Sequence, residues 1–444
     1  MAHDTIIALA SGAGRAGVAI LRLSGANSTK VLQEISQKDV PAPRFATLVN
    51  LIDRAGTTAD TAVVLFFKAP NSFTGEDVVE LQIHGGRANL AKIIEICLDT
   101  KLCRLAKAGE FSRQAFDNDK MDLTEAEGLS DLIEAETEAQ RKQALRQMDG
   151  ELGRLALSWR SALIENMAQI EAYIDFPDED IPNGLLDKVV LGITDLRSGL
   201  IKHLESAKQA QRVREGFRVV LLGAPNSGKS TLLNVLVKRD ASIVSSVAGT
   251  TRDIVEVSMI LDGQLVWLAD TAGLRESDND IEREGMRRAV LRAEEADLRI
   301  GLVSSDSEFD ATVKLLRAGD ILAWSKSDLW SPTTSLQIQD AKIKQINIAA
   351  KTGEGLDLLQ SQISDLIGRE SNEIEAAPLT RVRHRVAVES AIAAIDSALE
   401  NFLAPAELIC ENLRMAARNL AAISGDIGVE DVLDKVFSSF CIGK

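Results

Sequence analysis

Residues Val219–Thr231 read VVLLGAPNSGKST, which is a short apolar run, a glycine-rich turn and the start of a second apolar-periodic segment. Within this stretch, Gly223 to Ser230 fit the pattern G-x-x-x-x-G-K-[ST], whose backbone N–H groups surround a phosphate. Lys229 can supply a positive charge to the β- and γ-phosphate oxygens, and Ser230 can offer its hydroxyl to Mg²⁺. The stretch therefore predicts a strand, a phosphate loop and a helix whose amino terminus faces an anion.

The sequence around this loop alternates strand-like and helix-like runs from Phe217 to about Ile367. Such alternation is typical of a doubly wound α/β unit that binds a nucleotide. The predicted strands are Arg218–Leu222, Val255–Leu261, Leu265–Ala269, Leu298–Val303, Ile321–Trp324 and Gln345–Ile348.

Helical sequence flanks the α/β unit on both sides. The run LTEAEGLSDLIEAETEAQRKQALRQM has apolar residues at helical spacing, and long helices are predicted at about 151–175 and 185–212. Sequence with helical periodicity resumes at about Pro378. Since chain termini of a domain often lie close together, the α/β unit is most simply an insertion in a discontinuous helical domain.

The amino-terminal part alternates short apolar runs with turns, which predicts a compact α+β domain. Its predicted strands are Thr5–Ala10, Gly17–Leu23, Thr61–Phe67 and Val78–His84, and its predicted helix is Ala88–Leu98. The chain is thus predicted to be a multidomain α/β and α protein. The predicted domains are 1–118 (α+β), 119–213 with 369–444 (helical), and 214–368 (inserted Ras-like P-loop GTPase domain).

Composition limits the function classes. The chain has 444 residues and a net charge of −16, which argues against nucleic-acid binding through overall charge. The four cysteines form no C-x-x-C pair and no cluster with zinc spacing, so a reducing setting fits best. No secretory signal or membrane-spanning run is expected at the sequence level, and we expect a cytoplasmic protein.

Further motifs follow the phosphate loop in the order that a GTPase requires. In the polar loop Gly249–Asp253, Thr251 can bind Mg²⁺ and sense the γ-phosphate, as in a switch loop. Asp270 ends a predicted strand and can hold Mg²⁺ through water, while the N–H of Gly273 can meet the γ-phosphate. These positions predict the first and second switches of a GTPase.

A base-reading loop is predicted at Ser325–Asp328, in the place of the N-K-x-D motif. Asp328 can accept hydrogen bonds from guanine N1–H and N2–H₂, a pair that adenine cannot supply. The N–H of Ala350 can meet guanine O6. Because Ser325 is shorter than the expected Asn, we predict weak guanine-nucleotide affinity with fast exchange, which nanomolar GDP binding in a direct titration would contradict.

The residue after Gly273 is Leu274, where many small GTPases carry a glutamine that orients water. A hydrophobic side chain cannot do this, so another group must assist hydrolysis. Five carboxylates in the following loop could assist hydrolysis, and the residue types alone do not choose among them: Glu276, Asp278, Asp280, Glu282 and Glu284.

Four longer motifs carry a resemblance to a known family. They are APNSFTGEDVVELQ (69–82), GEFSRQAFDNDK (109–120), DFPDED (175–180) and FSSFCIGK (437–444). Together with the domain order, they resemble the MnmE (TrmE) family of GTPases that modify uridine 34 of tRNA. The resemblance extends from about Thr5 to Lys444.

The resemblance implies a homodimer formed through the amino-terminal domain. It also implies a heterotetramer with an FAD-dependent partner subunit, called MnmG or GidA. The pair installs a carboxymethylaminomethyl or aminomethyl group at C5 of the wobble uridine of certain tRNAs. The one-carbon unit comes from 5-formyl- or 5,10-methylene-tetrahydrofolate bound in the amino-terminal domain, and GTP hydrolysis is stimulated by K⁺.

The resemblance also assigns residues to the nucleotide and its cations. A K⁺ that replaces an arginine finger stabilises charge between the β- and γ-phosphates. Its implied ligands are Asn226, Ser245, Val247 and Thr250, and those of Mg²⁺ are Ser230 and Thr251. The implied GTP-binding residues are Asn226, Ser227, Gly228, Lys229, Ser230, Thr231, Ser245, Ser246, Val247, Ala248, Gly249, Thr250, Thr251, Asp270, Thr271, Ala272, Gly273, Ser325, Lys326, Asp328, Ala349, Ala350 and Lys351.

Among the carboxylates left open above, Glu282 matches the family's catalytic glutamate. Its implied role is to orient the attacking water through a bridging water.

The implied folate site consists of Arg22, Glu80, Lys120 and the terminal Lys444. Arg22 and Lys120 can pair with anionic glutamate tails, and Glu80 can accept hydrogen bonds from the pterin ring.

The carboxyl-terminal motif contains a thiol with two interpretations, and the 109–120 motif departs from the family pattern at one place. The thiol of Cys441 is a candidate nucleophile, and the alternative is a small buried residue. In GEFSRQAF, Arg113–Gln114 reverses the family preference for an acidic residue followed by Arg, which alters the local charge of this loop.

The alternative function is a regulatory switch GTPase that reports its nucleotide state to the ribosome or another assembly, without modification chemistry. The GTPase motifs are compatible with both functions. The amino-terminal polar runs and the Cys-Ile-Gly-Lys tail favour the modification enzyme, because a switch needs no folate pocket.

Overall fold

The computed structural model describes residues 4–175, 185–239, 256–270, 293–331, 342–371, 379–400 and 405–425, together with 433, 436–438, 440 and 443. The chain divides into two compact units. The first comprises Met1–Ser130, Arg146–Arg197 and Val386–Lys444, and the second comprises Asp131–Leu145 and Ser198–Arg385.

Helices account for much of the described chain, as the helical sequence predicts. They are α1 (Ser28–Ser36), α2 (Arg87–Asp99), α3 (Glu110–Asp117), α4 (Leu123–Glu134), α5 (Glu138–Met148), α6 (Glu151–Asp175), α7 (Leu185–Glu215), α8 (Lys229–Arg239), α9 (Phe309–Val313), α10 (Leu356–Ser371), α11 (Val382–Glu400) and α12 (Ala406–Ser424). Within the described ranges, none of them is both long and apolar enough to cross a membrane.

The first unit contains a six-stranded sheet in the order β3-β4-β5-β2-β1-β6. Neighbouring strands are antiparallel except for the parallel pair β1–β6. The strands are β1 (Ile6–Leu9), β2 (Val18–Ser24), β3 (Thr47–Ile52), β4 (Thr58–Phe67), β5 (Val78–His84) and β6 (Arg104–Leu105).

One face of this sheet builds the core against α1 and α2. On β5, Val79, Leu81 and Ile83 are buried in that core. Because side chains alternate along a strand, Glu80 and His84 belong to the opposite face. That opposite face carries the polar residues predicted to bind a ligand.

The second unit contains a six-stranded sheet in the order β12-β11-β10-β7-β9-β8. All pairs are parallel except β8–β9, which is an antiparallel hairpin at the edge. The strands are β7 (Phe217–Gly223), β8 (Glu256–Leu261), β9 (Gln264–Asp270), β10 (Leu298–Val303), β11 (Ile321–Ser325) and β12 (Lys344–Ile348). Parallel strands place their carboxyl ends at one edge, where ligands bind in such sheets.

The fold class is confirmed: an α+β amino-terminal region, helical segments and a P-loop α/β region occur in one chain. The structure adds β3, β6, α1 and α3, which the sequence did not predict. β3 is an edge strand in which Leu48 is exposed. Val49 and Leu51 are its buried side chains, so its apolar pattern is short.

Candidate functional sites

The phosphate loop Gly223–Ser230 joins the end of β7 to the start of α8. Gly223 has φ +145° and Gly228 has φ +103°, values that favour glycine. A Cβ at Gly223 would collide with the carbonyl oxygen of Leu302 on the adjacent strand. A Cβ at Gly228 would lie 2.8 Å from Ser325 Oγ, so the phosphate loop packs directly on the base-reading loop.

Lys229 is buried at the base of the phosphate loop. Its Nζ donates hydrogen bonds to the carbonyl oxygens of Gly223 at 2.8 Å and Ala224 at 2.7 Å. Burial lowers the pKa of the Lys229 ammonium, while the negative charges of Asp270 and Glu308 oppose that shift. The ammonium is thus held beside the loop by two carbonyls and two nearby carboxylates.

Ser230 and Asp270 bring a hydroxyl and a carboxylate together beside the loop. Ser230 Oγ donates to Asp270 Oδ2 at 2.6 Å, and Asp270 is only 4% exposed. Asp270 ends β9, which pairs with β7 so that Leu221 lies opposite Asp270. Oxygen ligands of these two kinds are those that Mg²⁺ prefers, so the pair fits a magnesium site next to a bound phosphate.

The base-reading loop begins where β11 ends. Ser325 is buried and pairs in register with Ile348 on β12, and the N–H of Ser327 donates to the Ile348 carbonyl at 3.1 Å. The next segment continues from β12 into Ala349, whose N–H donates to the Glu354 carbonyl at 3.0 Å.

The structure brings the described members of the predicted guanine pocket to the same edge of the sheet as the phosphate loop. These members are Ser325, Lys326, Asp328, Ala349, Ala350 and Lys351.

A second polar cluster lies on the sheet of the first unit. Arg22 on β2 faces Glu80 on β5 in register, and Arg22 Nε donates to Glu80 Oε1 at 3.0 Å. The guanidinium carbon lies 5.3 Å from the ring centroid of Phe73 and 5.8 Å from that of Phe111. The Arg22 guanidinium therefore contacts two aromatic rings as well as Glu80, and 21% and 17% of the Arg22 and Glu80 side chains are exposed.

Lys120 borders the same cluster through the loop that carries Phe73. A Cβ at Gly75 would lie 3.3 Å from Lys120 Cε, and Asn118 Nδ2 donates to the Thr74 carbonyl at 2.7 Å. These contacts hold the 71–77 loop against the end of α3, whose residues include Phe111.

The carboxyl-terminal tail approaches the same sheet. Gly443 packs so closely on the carbonyl of Leu9 that a Cβ would collide with it. Leu9 is adjacent on β1 to Ala8, the register partner of Arg22.

Comparisons with known proteins identify the family of the chain. A family model described as the MnmE helical domain matches residues 123–441, and one described as the GTP-binding protein TrmE N-terminus matches residues 5–120. Proteins named tRNA modification GTPase MnmE from Maricaulis maris and Paramagnetospirillum magneticum are 46% and 47% identical to this chain. The alignments cover 100% and 99% of this chain and 100% of each relative. The chain belongs to the MnmE family of tRNA modification GTPases.

A solved structure also matches part of this MnmE-family chain. The G domain of the T. maritima FeoB iron transporter is 24% identical, with a TM-score of 0.26. The match covers 34% of this chain and 98% of that domain.

Several residues predicted from the MnmE resemblance lie outside the described residues, so their roles stay predictions. They are Ser245, Ser246, Val247, Ala248, Gly249, Thr250, Thr251, Thr271, Ala272, Gly273, Glu282, Cys441 and Lys444. Among the predicted K⁺ ligands, Asn226 is described, and it has a left-handed φ of +64° within the phosphate loop. Ser227 and Thr231 are also described, and Ser227 is fully buried.

Sequence reasoning did not identify the roles of Phe73, Phe111 and Glu308. Phe73 belongs to the NSFTGE motif and Phe111 to the GEFS motif. The motifs alone did not show that both rings lie close to Arg22. Glu308 belongs to no motif. It is recognised only because the fold brings its charge near Lys229.

Proposed function

We propose that this chain is a K⁺-stimulated GTP hydrolase that, with an FAD-dependent partner subunit, modifies the wobble uridine of certain tRNAs. The product is a carboxymethylaminomethyl or aminomethyl group at C5 of uridine 34, made with a tetrahydrofolate one-carbon unit. The observation that carries the proposal is the phosphate loop with buried Lys229 and the Ser230–Asp270 pair. The proposed organisation comprises domains 1–118, 119–213 with 369–444, and 214–368.

The phosphate loop is proposed to bind GTP through its backbone N–H groups, with Lys229 beside the β- and γ-phosphate oxygens. Ser230, together with Thr251, is proposed to hold Mg²⁺, with Asp270 acting through water. When bound, Mg²⁺ neutralises phosphate charge and orients the leaving group. The hydroxyl–carboxylate distance of 2.6 Å supports this assignment because both oxygens converge on one point beside the loop.

Hydrolysis is proposed to proceed by attack of water on the γ-phosphorus, with cleavage of the bond to the β–γ bridging oxygen. GDP leaves with that oxygen, and the water oxygen becomes part of inorganic phosphate. Glu282 is the proposed water-orienting group. Asn226, Ser245, Val247 and Thr250 are the proposed ligands of K⁺.

The Arg22 cluster is proposed to bind the folate. Phe73 offers an aromatic surface to a flat pterin ring, and Glu80 offers a carboxylate to its N–H groups. Arg22 and Lys120 supply positive charge for the glutamate tail, and Lys444 is proposed to complete the site. This cluster favours modification chemistry over a pure switch, since a switch needs no such pocket.

We further propose a cytoplasmic homodimer that assembles with the FAD-dependent subunit and acts on tRNA. The test is mass spectrometry of tRNA nucleosides from a deletion strain complemented with this chain. Restored wobble-uridine modification supports the proposal, and normal modification in the uncomplemented deletion strain contradicts it. A parallel measurement of GTP turnover in K⁺ and in Na⁺ tests the cation, and equal rates would count against the K⁺ site.

A further inference from the structure

Three aromatic residues concentrate beside the base-reading loop. Trp324 precedes this loop and Trp330 follows it, and their ring centroids lie 5.9 Å apart at an interplanar angle of 48°. Trp324 also stacks on Phe309, with centroids 5.5 Å apart and planes 2° apart. Aromatic residues are only 4% of the chain, so composition does not explain three of them around one loop.

The backbone of the loop brings the two tryptophans together. Lys326 has a left-handed φ of +59°, and its carbonyl accepts the N–H groups of Leu329 at 2.9 Å and Trp330 at 3.1 Å. Residues 326–330 therefore form one tight turn that contains Asp328. The contact between the Trp324 and Trp330 rings closes this turn at its base.

The stack also reaches the segment next to the phosphate loop. Phe309 follows Glu308, whose carboxylate accepts the N–H of Ser304 at 2.8 Å. Burial lowers the pKa of Lys229, and the negative charges of Asp270 and then Glu308 partly oppose that shift. Phe309, Trp324 and Trp330 thus form a continuous series of ring contacts that joins the residue after Glu308 to both ends of the base-reading loop.

We propose that Trp330 is a positioning residue for guanine recognition, which holds the loop so that Asp328 meets guanine N1–H and N2–H₂. This inference rests on the proposed GTP binding. Without the ring contact, the loop must be ordered when the nucleotide binds, and the ordering lowers affinity. An aromatic pair of this kind corresponds to roughly a two- to tenfold change in an equilibrium constant.

The test compares GDP with IDP, whose inosine base lacks the N2 amino group. Isothermal titration calorimetry gives Kd for both nucleotides with the wild type and Trp330→Ala. We expect the GDP Kd to rise roughly two- to tenfold and the IDP Kd to rise less, so that discrimination between them falls. Trp330→Phe keeps a ring and should retain most of the discrimination. Leu358→Ala removes an exposed apolar side chain from α10 and should change neither value.

Equal rises for GDP and IDP would overturn the inference, because they would show a general effect on the site. Unchanged values would overturn it as well. If Trp330→Ala fails to fold by circular dichroism, Trp330→Leu, which keeps apolar volume without a ring, replaces it in the same comparison. A wild-type chain that binds neither nucleotide would contradict the proposed function itself, whereas binding with unaltered discrimination in the variants contradicts only the role of Trp330.

Discussion

Replacing Ser230 by alanine tests the assignment of the magnesium site. The Ser230 hydroxyl donates to Asp270 Oδ2 at 2.6 Å, and Asp270 is 4% exposed. Alanine removes this hydroxyl and leaves the phosphate loop backbone and Lys229 in place. We therefore expect a specific weakening of Mg²⁺ binding rather than a loss of the fold.

The magnitude follows from the charge of the partner. A hydrogen bond to a charged group contributes about 1.5–3 kcal/mol, and the hydroxyl would interact with either the buried carboxylate or the cation. That free energy corresponds to roughly 10- to 150-fold in an equilibrium constant. The Mg²⁺ concentration for half-maximal GTP turnover should rise by a factor in that range in Ser230→Ala.

The assay measures phosphate release at saturating GTP over a series of Mg²⁺ concentrations. Ser230→Thr is the matched control, because it keeps a hydroxyl at the same position and satisfies the same sequence pattern. It should retain the wild-type Mg²⁺ dependence. The reasoning is refuted if Ser230→Ala shows the wild-type half-maximal concentration, or if Ser230→Thr is displaced as far as Ser230→Ala.

Three further predictions address the other sites. Arg22→Ala should raise the Kd for 5-formyl-tetrahydrofolate roughly 10- to 150-fold by calorimetry, because a charge-assisted partner is lost, whereas Lys92→Ala at an exposed position of α2 should not. Glu282→Ala should lower GTP turnover by about a hundredfold with an unchanged GDP Kd; unchanged turnover would exclude the water-orienting role. Burial acts to raise the pKa of Glu110, but Arg104 and a backbone N–H hold that pKa below its ordinary 4.5. The stability that this provides is present above pH 4.5 and is lost as pH falls through the folded-state pKa, so Arg104→Met should raise the midpoint of acid unfolding followed by circular dichroism.

The sequence predicted the bounds of some elements closely, whereas others are shifted by one to three residues. The strands Val78–His84 and Leu298–Val303 and the helix Glu151–Asp175 have the predicted bounds. The edge strand β3 was missed because solvent replaces one of its neighbours, which weakens the buried-side pattern. The strand order β3-β4-β5-β2-β1-β6 was also beyond prediction, since alternation identifies a buried face but not which strand supplies the hydrogen bonds.

The sequence predicted which residues belong to the candidate sites, but not which of those residues contact each other. The loop pattern identified Lys229 and Ser230, because phosphate binding requires those groups at fixed spacing. The family motifs identified Arg22 and Glu80 separately, although the two are direct partners across β2 and β5. Their pairing depends on the register of strands 58 residues apart, which local sequence does not encode.

The contact between Gly228 and Ser325 gives a physical basis for the unusual serine of the base-reading loop. A Cβ at Gly228 would lie 2.8 Å from Ser325 Oγ, so the small hydroxyl packs on the phosphate loop backbone. Asparagine would offer an additional polar group at this place, and serine does not. Two other contacts then support the loop: the hydrogen bond from the Ser327 N–H to Ile348 and the Trp324–Trp330 ring contact. With fewer side-chain hydrogen bonds to the phosphate loop, the base-reading loop depends more on these two contacts. The contacts of Asp328 with guanine are therefore sensitive to Trp330, which does not itself touch the base.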